Sequence, residues 1–168
     1  MRAASRLPDF VIVGAAKSGT STLARHLRQH PDVYMPGREV HFFDDLGAGQ
    51  WSERSVDWYR AQFADAGPDE VVGEKTPAYS YLPDVPRRMG EVVPDAGLVW
   101  MFRDPVDRAY SNYWMAVRNG IEPLDFREAV GRAEEIGADN IWRDYLRRSR
   151  YAEQVERFLD HFERESML

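Results

Sequence analysis

The stretch that decides the fold is Asp9-Phe10-Val11-Ile12-Val13-Gly14-Ala15-Ala16-Lys17-Ser18-Gly19-Thr20-Ser21-Thr22. Residues 10–13 are apolar and mostly β-branched, and Gly14 ends this run. This pattern predicts a short buried strand. The small residues that follow, 15–21, predict a loop. A helix is expected from about Ser18 to His30, because apolar residues recur on one face and Pro31 stops it.

The loop after this strand has the composition of an anion-binding site. Small residues let backbone N–H groups approach an anion closely, and the helix N-terminus adds free donors and a favourable dipole. Lys17 adds a full positive charge, and hydroxyl donors come from Ser18, Thr20, Ser21 and Thr22. In the Walker A pattern of ATP and GTP loops, the lysine directly follows the last glycine. Here Lys17 precedes Gly19, so that match fails. The alternative is a simple small-residue turn with an N-cap.

Lysine is scarce in this chain. Of 22 lysines and arginines, only Lys17 and Lys75 are lysines. General surface charge is therefore carried by arginine, and each lysine needs a local reason. A compact ammonium group on a flexible stem suits an oxyanion that changes during a reaction.

Strands and helices alternate along the rest of the chain. The predicted strands are 33–35, 71–74 and 97–102, and the predicted helices are 55–66, 83–93, 105–119, 126–136 and 144–165. The last of these helices is rich in Glu and Arg, which favours a solvated face with i,i+4 pairs. Residues 166–168 resemble the beginning of another strand. This alternation predicts an α/β, three-layer, P-loop-like fold with a central parallel sheet flanked by helices.

Arg103 and Ser111 flank the start of a helix that follows the clearest strand. Ligands gather at the carboxyl ends of parallel strands, so Arg103 is placed to reach the same crevice as Lys17. Ser111, about two turns into the helix, faces the same way. The alternative is a strand-to-helix junction whose arginine pairs with a neighbouring aspartate.

Glu39 and His41 alternate with apolar residues, so in an extended segment they project to one side. A carboxylate and an imidazole there can take a proton from an acceptor hydroxyl. The alternative is an exposed loop anchored by Phe42 and Phe43. Lys75 directly follows a predicted strand and points to the same crevice; its alternative is a surface lysine.

Composition excludes several classes of protein. There is no cysteine, which removes disulfides, thiolate nucleophiles and cysteine zinc sites. A net charge of −6 argues against nucleic-acid binding. No apolar run reaches the length of a membrane span, so we expect a cytoplasmic protein. His26 and His30 lie four residues apart without a third ligand nearby, so no metal site is expected. The sequence gives no indication of the oligomeric state.

Together these segments resemble the sulfotransferase superfamily, in particular the heparan sulfate sulfotransferases and their bacterial relatives, from about residue 8 to the end. Lys17-Ser18-Gly19-Thr20-Ser21-Thr22 resembles the loop that holds the 5′-phosphosulfate of 3′-phosphoadenosine 5′-phosphosulfate (PAPS). Arg103 and Ser111 match the residues that hold its 3′-phosphate. Residues 38–43 resemble the segment Lys-Glu-Val-His-Phe-Phe, whose glutamate is the proposed base, and 74–79 resemble a further active-site segment.

The resemblance implies direct in-line transfer of a sulfuryl group to a hydroxyl or amine of a carbohydrate or small molecule. Adenosine 3′,5′-bisphosphate (PAP) is then the product, and no metal is required. Lys17 stabilises the leaving oxygen. Glu39 takes the acceptor's proton, while His41 and Lys75 orient or neutralise the sulfuryl oxygens.

The chain departs from the family in two places. Arg38 stands where the family usually has lysine. The chain also ends where family members continue into a strand, helices and a basic, glycine-containing loop over the nucleotide. We therefore expect one sulfotransferase domain, residues 1–168, without the C-terminal portion of the family fold. Two alternatives stay open: a catalytically silent domain that binds PAP, PAPS or a partner, and a P-loop nucleotide kinase.

Overall fold

The computed structural model describes residues 6–46, 51, 54–137 and 140–168. The strands are β1 (Phe10–Gly14), β2 (Val33–Tyr34), β3 (Val71–Lys75) and β4 (Gly97–Trp100). The helices are α1 (Thr20–Leu27), α2 (Val56–Ala61), α3 (Val85–Val92), α4 (Pro105–Arg118), α5 (Phe126–Gly131), α6 (Ala133–Gly137) and α7 (Tyr151–Leu159). Across these ranges, no helix is both long and apolar enough to cross a bilayer.

The four strands form one parallel sheet in the order β2-β3-β1-β4. The strand β1 is central, and Phe10 lies opposite both Gly73 of β3 and Gly97 of β4. The segments that leave the strands stay tied together at their carboxyl ends. Met101 N donates to Gly14 O at 2.8 Å, and Ser80 N donates to Val13 O at 2.9 Å. This edge of the sheet therefore collects the segments that follow β1, β3 and β4.

The side chains of β1 alternate between two cores, which makes the fold three-layered. Val11 and Val13 pack into a core that also contains α3 and α7 residues, including Met89 and Phe158. Ile12 faces the opposite side, where it packs with Ala24 of α1. A parallel sheet buried on both faces explains the continuous apolar run in the sequence. The predicted fold class is confirmed.

The helix α4 begins where β4 ends and is held by its own cap. Asp104 Oδ1 accepts hydrogen bonds from Val106 N at 2.9 Å and Asp107 N at 3.0 Å. Pro105 fits the first turn, where no backbone donor is needed. The observed bounds agree with the predicted helix 105–119 to one residue.

The predicted helix 144–165 is wrong at both ends: α7 stops at Leu159, and a 3-10 turn follows at Arg164–Ser166. The helix α7 begins only at Tyr151, and it is preceded by 3-10 turns at Ile141–Arg143 and Arg147–Ser149. A long-range donor explains the late start of α7, because it takes a backbone carbonyl that an α-helix would use. Arg108 Nη2 donates to Tyr145 O at 2.6 Å.

Two smaller differences concern segment ends. The predicted helix 126–136 is divided into α5 and α6 around Arg132. Of residues 166–168, which resembled the beginning of a strand, Ser166 ends a 3-10 turn, Met167 forms an isolated parallel bridge with Leu98, and Trp100 N donates to Leu168 O at 2.9 Å. Met167 and Leu168 therefore lie beside β4 at the edge of the sheet.

Candidate active site

The loop between β1 and α1 is built to face an anion. Gly19 has φ 95°, a conformation that favours glycine, and no described side chain caps α1. The first amides of a helix have no acceptor in a preceding turn. Thr22 N donates to Gly19 O at 2.9 Å, whereas Thr20 N and Ser21 N have no acceptor among the described residues. Ser18 Oγ is buried and has no hydrogen-bond partner among the described residues. A buried hydroxyl of this kind fits a ligand that brings its own acceptor.

The loop lines a cavity of about 360 Å³ at the carboxyl edge of the sheet. Its walls come from the loop, the segments after β2 and β3, the helix α4 and the 3-10 turns. The lining residues are Ala16, Lys17, Gly19, Thr20, Ser21, Glu39, Pro77, Ala78, Ser111, Met115, Trp142 and Arg148. Of the predicted site residues, the structure brings Lys17, Gly19, Thr20, Ser21, Glu39 and Ser111 to this cavity. It places Ser18, Thr22, His41, Lys75 and Arg103 outside its lining.

Lys75 connects the loop to the predicted base. Its Nζ donates to Glu39 Oε1 at 2.5 Å and to Ser21 Oγ at 3.2 Å. The second carboxylate oxygen of Glu39 lies 3.2 Å from His41 Nε2, and His41 Nδ1 lies 2.7 Å from Asp44 Oδ2. Glu39 is thus held by two cationic side chains while it still faces the cavity.

These contacts fix the charges at neutral pH. Burial of Glu39 favours its neutral form, but the hydrogen bonds and charges of His41 and Lys75 outweigh this and lower its pKa. The hydrogen bond to Asp44, then that to Glu39, raises the pKa of His41 to about 9. Glu39 is therefore a carboxylate and His41 an imidazolium.

The segment that carries Glu39 and His41 is turned, which corrects the expectation of an extended segment. His41 has φ 53°, in the left-handed region, and this turn lets its ring reach back to Glu39. The backbone of this segment is also held by two side chains that follow β3. Thr76 Oγ1 accepts from Val40 N at 3.2 Å, and Tyr79 OH accepts from Phe42 N at 2.8 Å.

Positive charge gathers around the loop although the whole chain carries −6. Burial lowers the pKa of Lys17, and the charges of Arg118, Arg103, Arg108 and Arg148 lower it further. Arg103 is 42% exposed and lies 3.7 Å from Asp107 Oδ2, so it also makes the aspartate pair that the junction alternative predicted. Its charge nonetheless reaches Lys17, so both belong to one basic region.

Comparison with known proteins settles the family. The model of the Sulfotransferase family matches residues 8–71 and 62–164. The chain belongs to the sulfotransferase family. This membership removes the P-loop kinase alternative.

Relatives and a solved structure agree with this assignment. The chain is 34% identical to human heparan sulfate glucosamine 3-O-sulfotransferase 6 over 157 residues, which cover 94% of this chain and 44% of the relative. It is 32% identical to mouse heparan sulfate glucosamine 3-O-sulfotransferase 3B1 over 164 residues, with 97% and 40% covered. A sulfotransferase structure from Alicyclobacillus acidocaldarius matches with a TM-score of 0.85 and 38% identity, covering 97% of this chain and 72% of that one. The chain thus spans less than half the length of these curated relatives.

Sequence reasoning placed Glu74 in the segment 74–79 that resembles an active-site segment, but gave no role to its buried carboxyl. Tyr59 OH donates to its Oε1 at 2.5 Å, and Thr76 Oγ1 donates to its Oε2 at 3.0 Å. Because Thr76 also holds the backbone of Val40, Glu74 supports the segment that carries Glu39. Burial raises the pKa of Glu74 to about 7, against the opposing hydrogen bonds. A single acidic residue inside a buried strand was the signal that could have found it.

Sequence reasoning also missed Arg148 and Trp142, which line the cavity. Arg148 is 3% exposed, although the pattern around it favoured a solvated helix face. No local signal separates Arg148 from Arg147 and Arg150 beside it, because its burial depends on distant side chains.

Proposed function

We propose that the chain transfers a sulfuryl group from PAPS to a hydroxyl or amine of a carbohydrate or small-molecule acceptor. One observation carries the proposal: the anion-binding loop and the carboxylate of Glu39 line the same cavity, and Lys75 joins them. Group transfer needs this arrangement, because the donor anion and the proton acceptor must flank one reacting atom.

The loop residues support binding of the donor. Free amides at the start of α1 and the orphan hydroxyl of Ser18 suit phosphate and sulfate oxygens. Lys17, whose charge is opposed by neighbouring arginines, gains from a bound anion. In this proposal Arg103 and Ser111 hold the 3′-phosphate. The donor supplies the sulfuryl group and leaves as PAP.

Glu39 is proposed to act as the base in a concerted step. The acceptor oxygen forms a bond to sulfur as the bond from sulfur to the bridging phosphate oxygen breaks. A carboxylate with a lowered pKa does not deprotonate a free alcohol, so Glu39 takes the proton only while the new bond forms. Lys17 neutralises the charge that develops on the bridging oxygen.

The acceptor class is proposed from the relatives, whose names describe sulfation of the glucosamine of heparan sulfate at oxygen. A carbohydrate hydroxyl is therefore the first acceptor to test. A catalytically silent domain that binds PAP, PAPS or a partner is carried forward as the second candidate. Cytoplasmic location stays a prediction.

A transfer assay with labelled donor and mixed acceptors tests the proposal. We expect Glu39→Gln to lower turnover by about 10²- to 10⁴-fold, the usual share of general base catalysis, with an unchanged affinity for PAP. Glu91→Gln is the matched control, since Glu91 is a half-exposed carboxylate that pairs with Arg87 on α3 and does not line the cavity. PAP binding without transfer by the wild type favours the silent domain, and normal transfer by Glu39→Gln refutes the base assignment.

A further inference from the structure

Thr76 carries a buried hydroxyl directly after β3, and all of its hydrogen-bonding capacity is used. The residue is 0% exposed, and its Oγ1 donates to Glu74 Oε2 at 3.0 Å. The same oxygen accepts from Val40 N at 3.2 Å and from His41 N at 3.4 Å. A hydroxyl has one donor and two acceptor lone pairs. Because the donor points at the Glu74 carboxyl, both lone pairs are left for the two backbone amides.

The backbone of Thr76 is fixed as well. Its N–H donates to Ile12 O of β1 at 3.2 Å, and its carbonyl oxygen accepts from Tyr79 N at 3.0 Å. The hydroxyl therefore projects from a part of the chain that is tied to the central strand. A group on such a rigid element holds its partners more accurately than a group on a loop.

The two amides that Thr76 holds come directly after Glu39 in the chain. His41 has φ 53°, and this left-handed turn brings its Nε2 to 3.2 Å from Glu39 Oε2. Lys75, the neighbour of Thr76, donates to the other carboxylate oxygen of Glu39 at 2.5 Å. Consecutive residues at one strand end thus hold the side chain of Glu39 and the backbone that follows it.

Other side chains hold this segment further along the chain. Tyr79 OH accepts from Phe42 N at 2.8 Å, and Arg54 Nη1 donates to the carbonyl oxygens of residues 41, 42 and 44. These contacts keep the segment attached to the domain if the Thr76 hydroxyl is removed. They do not involve the amides of Val40 and His41, so the turn next to Glu39 depends on Thr76.

We propose that Thr76 is a positioning residue for the proposed base: its hydroxyl, aligned by Glu74, fixes the turn that directs the Glu39 carboxylate into the cavity. This inference rests on the proposed function. Thr76 does not line the cavity, so its effect on transfer passes through Glu39. Displacement of a reacting group by about 1 Å can lower a rate about a hundredfold. The hydroxyl should therefore matter for turnover and not for binding of the donor.

Thr76→Val tests this, because it removes the hydroxyl and keeps the shape of the side chain. With labelled PAPS and heparan sulfate as the acceptor, we expect turnover to fall about ten- to a hundredfold. The affinity for PAP in calorimetry should be unchanged, and Thr76→Ser should restore turnover because it restores the hydroxyl. Ser80→Ala is the matched control and should change neither quantity. Ser80 is also buried after β3, at 1% exposed, but its Oγ donates to Pro77 O at 3.4 Å.

The imidazole of His41 provides a second measurement that does not require turnover. Asp44 and then Glu39 raise its pKa to about 9, and Glu74 and Lys75 are the other charged groups on the strand beside it. In ¹⁵N NMR of the histidine rings, we expect the His41 midpoint to fall by about one pH unit in Thr76→Val, because Glu39 turns away while Asp44 remains. Thr76→Ser should keep the wild-type midpoint. The His41 signal is identified by its loss in His41→Asn.

Thr76→Ala keeps the test valid if Thr76→Val does not fold, because a water can take the vacated space and bond to Glu74 and the two amides. The same two changes, smaller in size, are expected. Full turnover, an unchanged His41 midpoint, or a defect that Thr76→Ser does not restore overturns the proposal. A loss of PAP affinity also overturns it, by showing a general loss of structure. If the wild type binds PAP but transfers no sulfate to heparan sulfate, the proposed function fails on this acceptor, and the His41 midpoints decide the inference.

Discussion

Glu74→Gln offers a test of the buried network under the site. Glu74 is 0% exposed and accepts hydrogen bonds from Tyr59 and Thr76. Glutamine has the same shape, accepts from one hydroxyl and donates to the other, which can rotate to receive it. The substitution therefore removes a titrating group and leaves the packing in place.

The expected magnitude follows from the pKa of Glu74, which burial raises from its ordinary 4.5 to about 7. The folded state then holds a proton that the unfolded state has lost, so the free energy of unfolding falls as pH rises through this window. At about 1.4 kcal/mol per tenfold change in ionisation, the full effect is about 3 kcal/mol. Between pH 5 and pH 8 we expect the wild type to lose about 2–3 kcal/mol relative to Glu74→Gln.

Urea unfolding at these two pH values, followed by circular dichroism, measures this difference. Comparing the two proteins cancels other titrating groups to first order, including His41. Glu91→Gln, an exposed substitution, should stay within about 0.5 kcal/mol of the wild type at both pH values. If Glu74→Gln and the wild type lose the same stability from pH 5 to pH 8, Glu74 titrates normally and the reasoning is refuted.

Three further predictions concern single side chains. Lys17→Ala should weaken PAP binding about ten- to a hundredfold in calorimetry, because it removes a charged donor; unchanged affinity would contradict the proposed role of the loop. Asp104→Ala should cost about 1 kcal/mol in urea unfolding, because the α4 cap loses its acceptor for Val106 N and Asp107 N; no measurable change would contradict that cap. Because the pKa of His41 is raised to about 9, transfer should stay level up to pH 8 and fall above pH 9. A fall centred near the ordinary value of 6.5 would show that Asp44 and Glu39 do not hold its proton.

The sheet and the donor loop could be predicted because their signals are local. The buried run of β1 ends at Gly14, and the small residues that follow it form the loop. The structure shows why residue 14 is glycine, since an added Cβ would lie 2.3 Å from Ser80 Oγ. Pro105 and Asp104 mark the start of α4 in the same local way. Lysine is scarce in the chain, and this singled out Lys17 and Lys75. In the structure Lys75 donates to Ser21 Oγ, at the end of the loop that contains Lys17.

The remaining parts depend on contacts between distant residues. Residues 144–150 have the charged pattern of an exposed helix. However, Arg108 donates a hydrogen bond to the carbonyl oxygen of Tyr145, which a helix would pair with a backbone N–H. The same long-range contacts bury Arg148, which the pattern had placed in solvent. The pairing of Glu39 with His41 requires a left-handed backbone conformation at His41, which the sequence does not indicate.

Calorimetric titration with PAP and with AMP, which lacks only the 3′-phosphate, tests the central claim most directly. If residues at the carboxyl ends of the strands bind both phosphates of one nucleotide, the wild type binds PAP at least about tenfold more tightly than AMP. Arg103→Ala then removes most of that difference in affinity. Equal affinity for PAP and AMP, or a preference that survives in Arg103→Ala, would contradict the account.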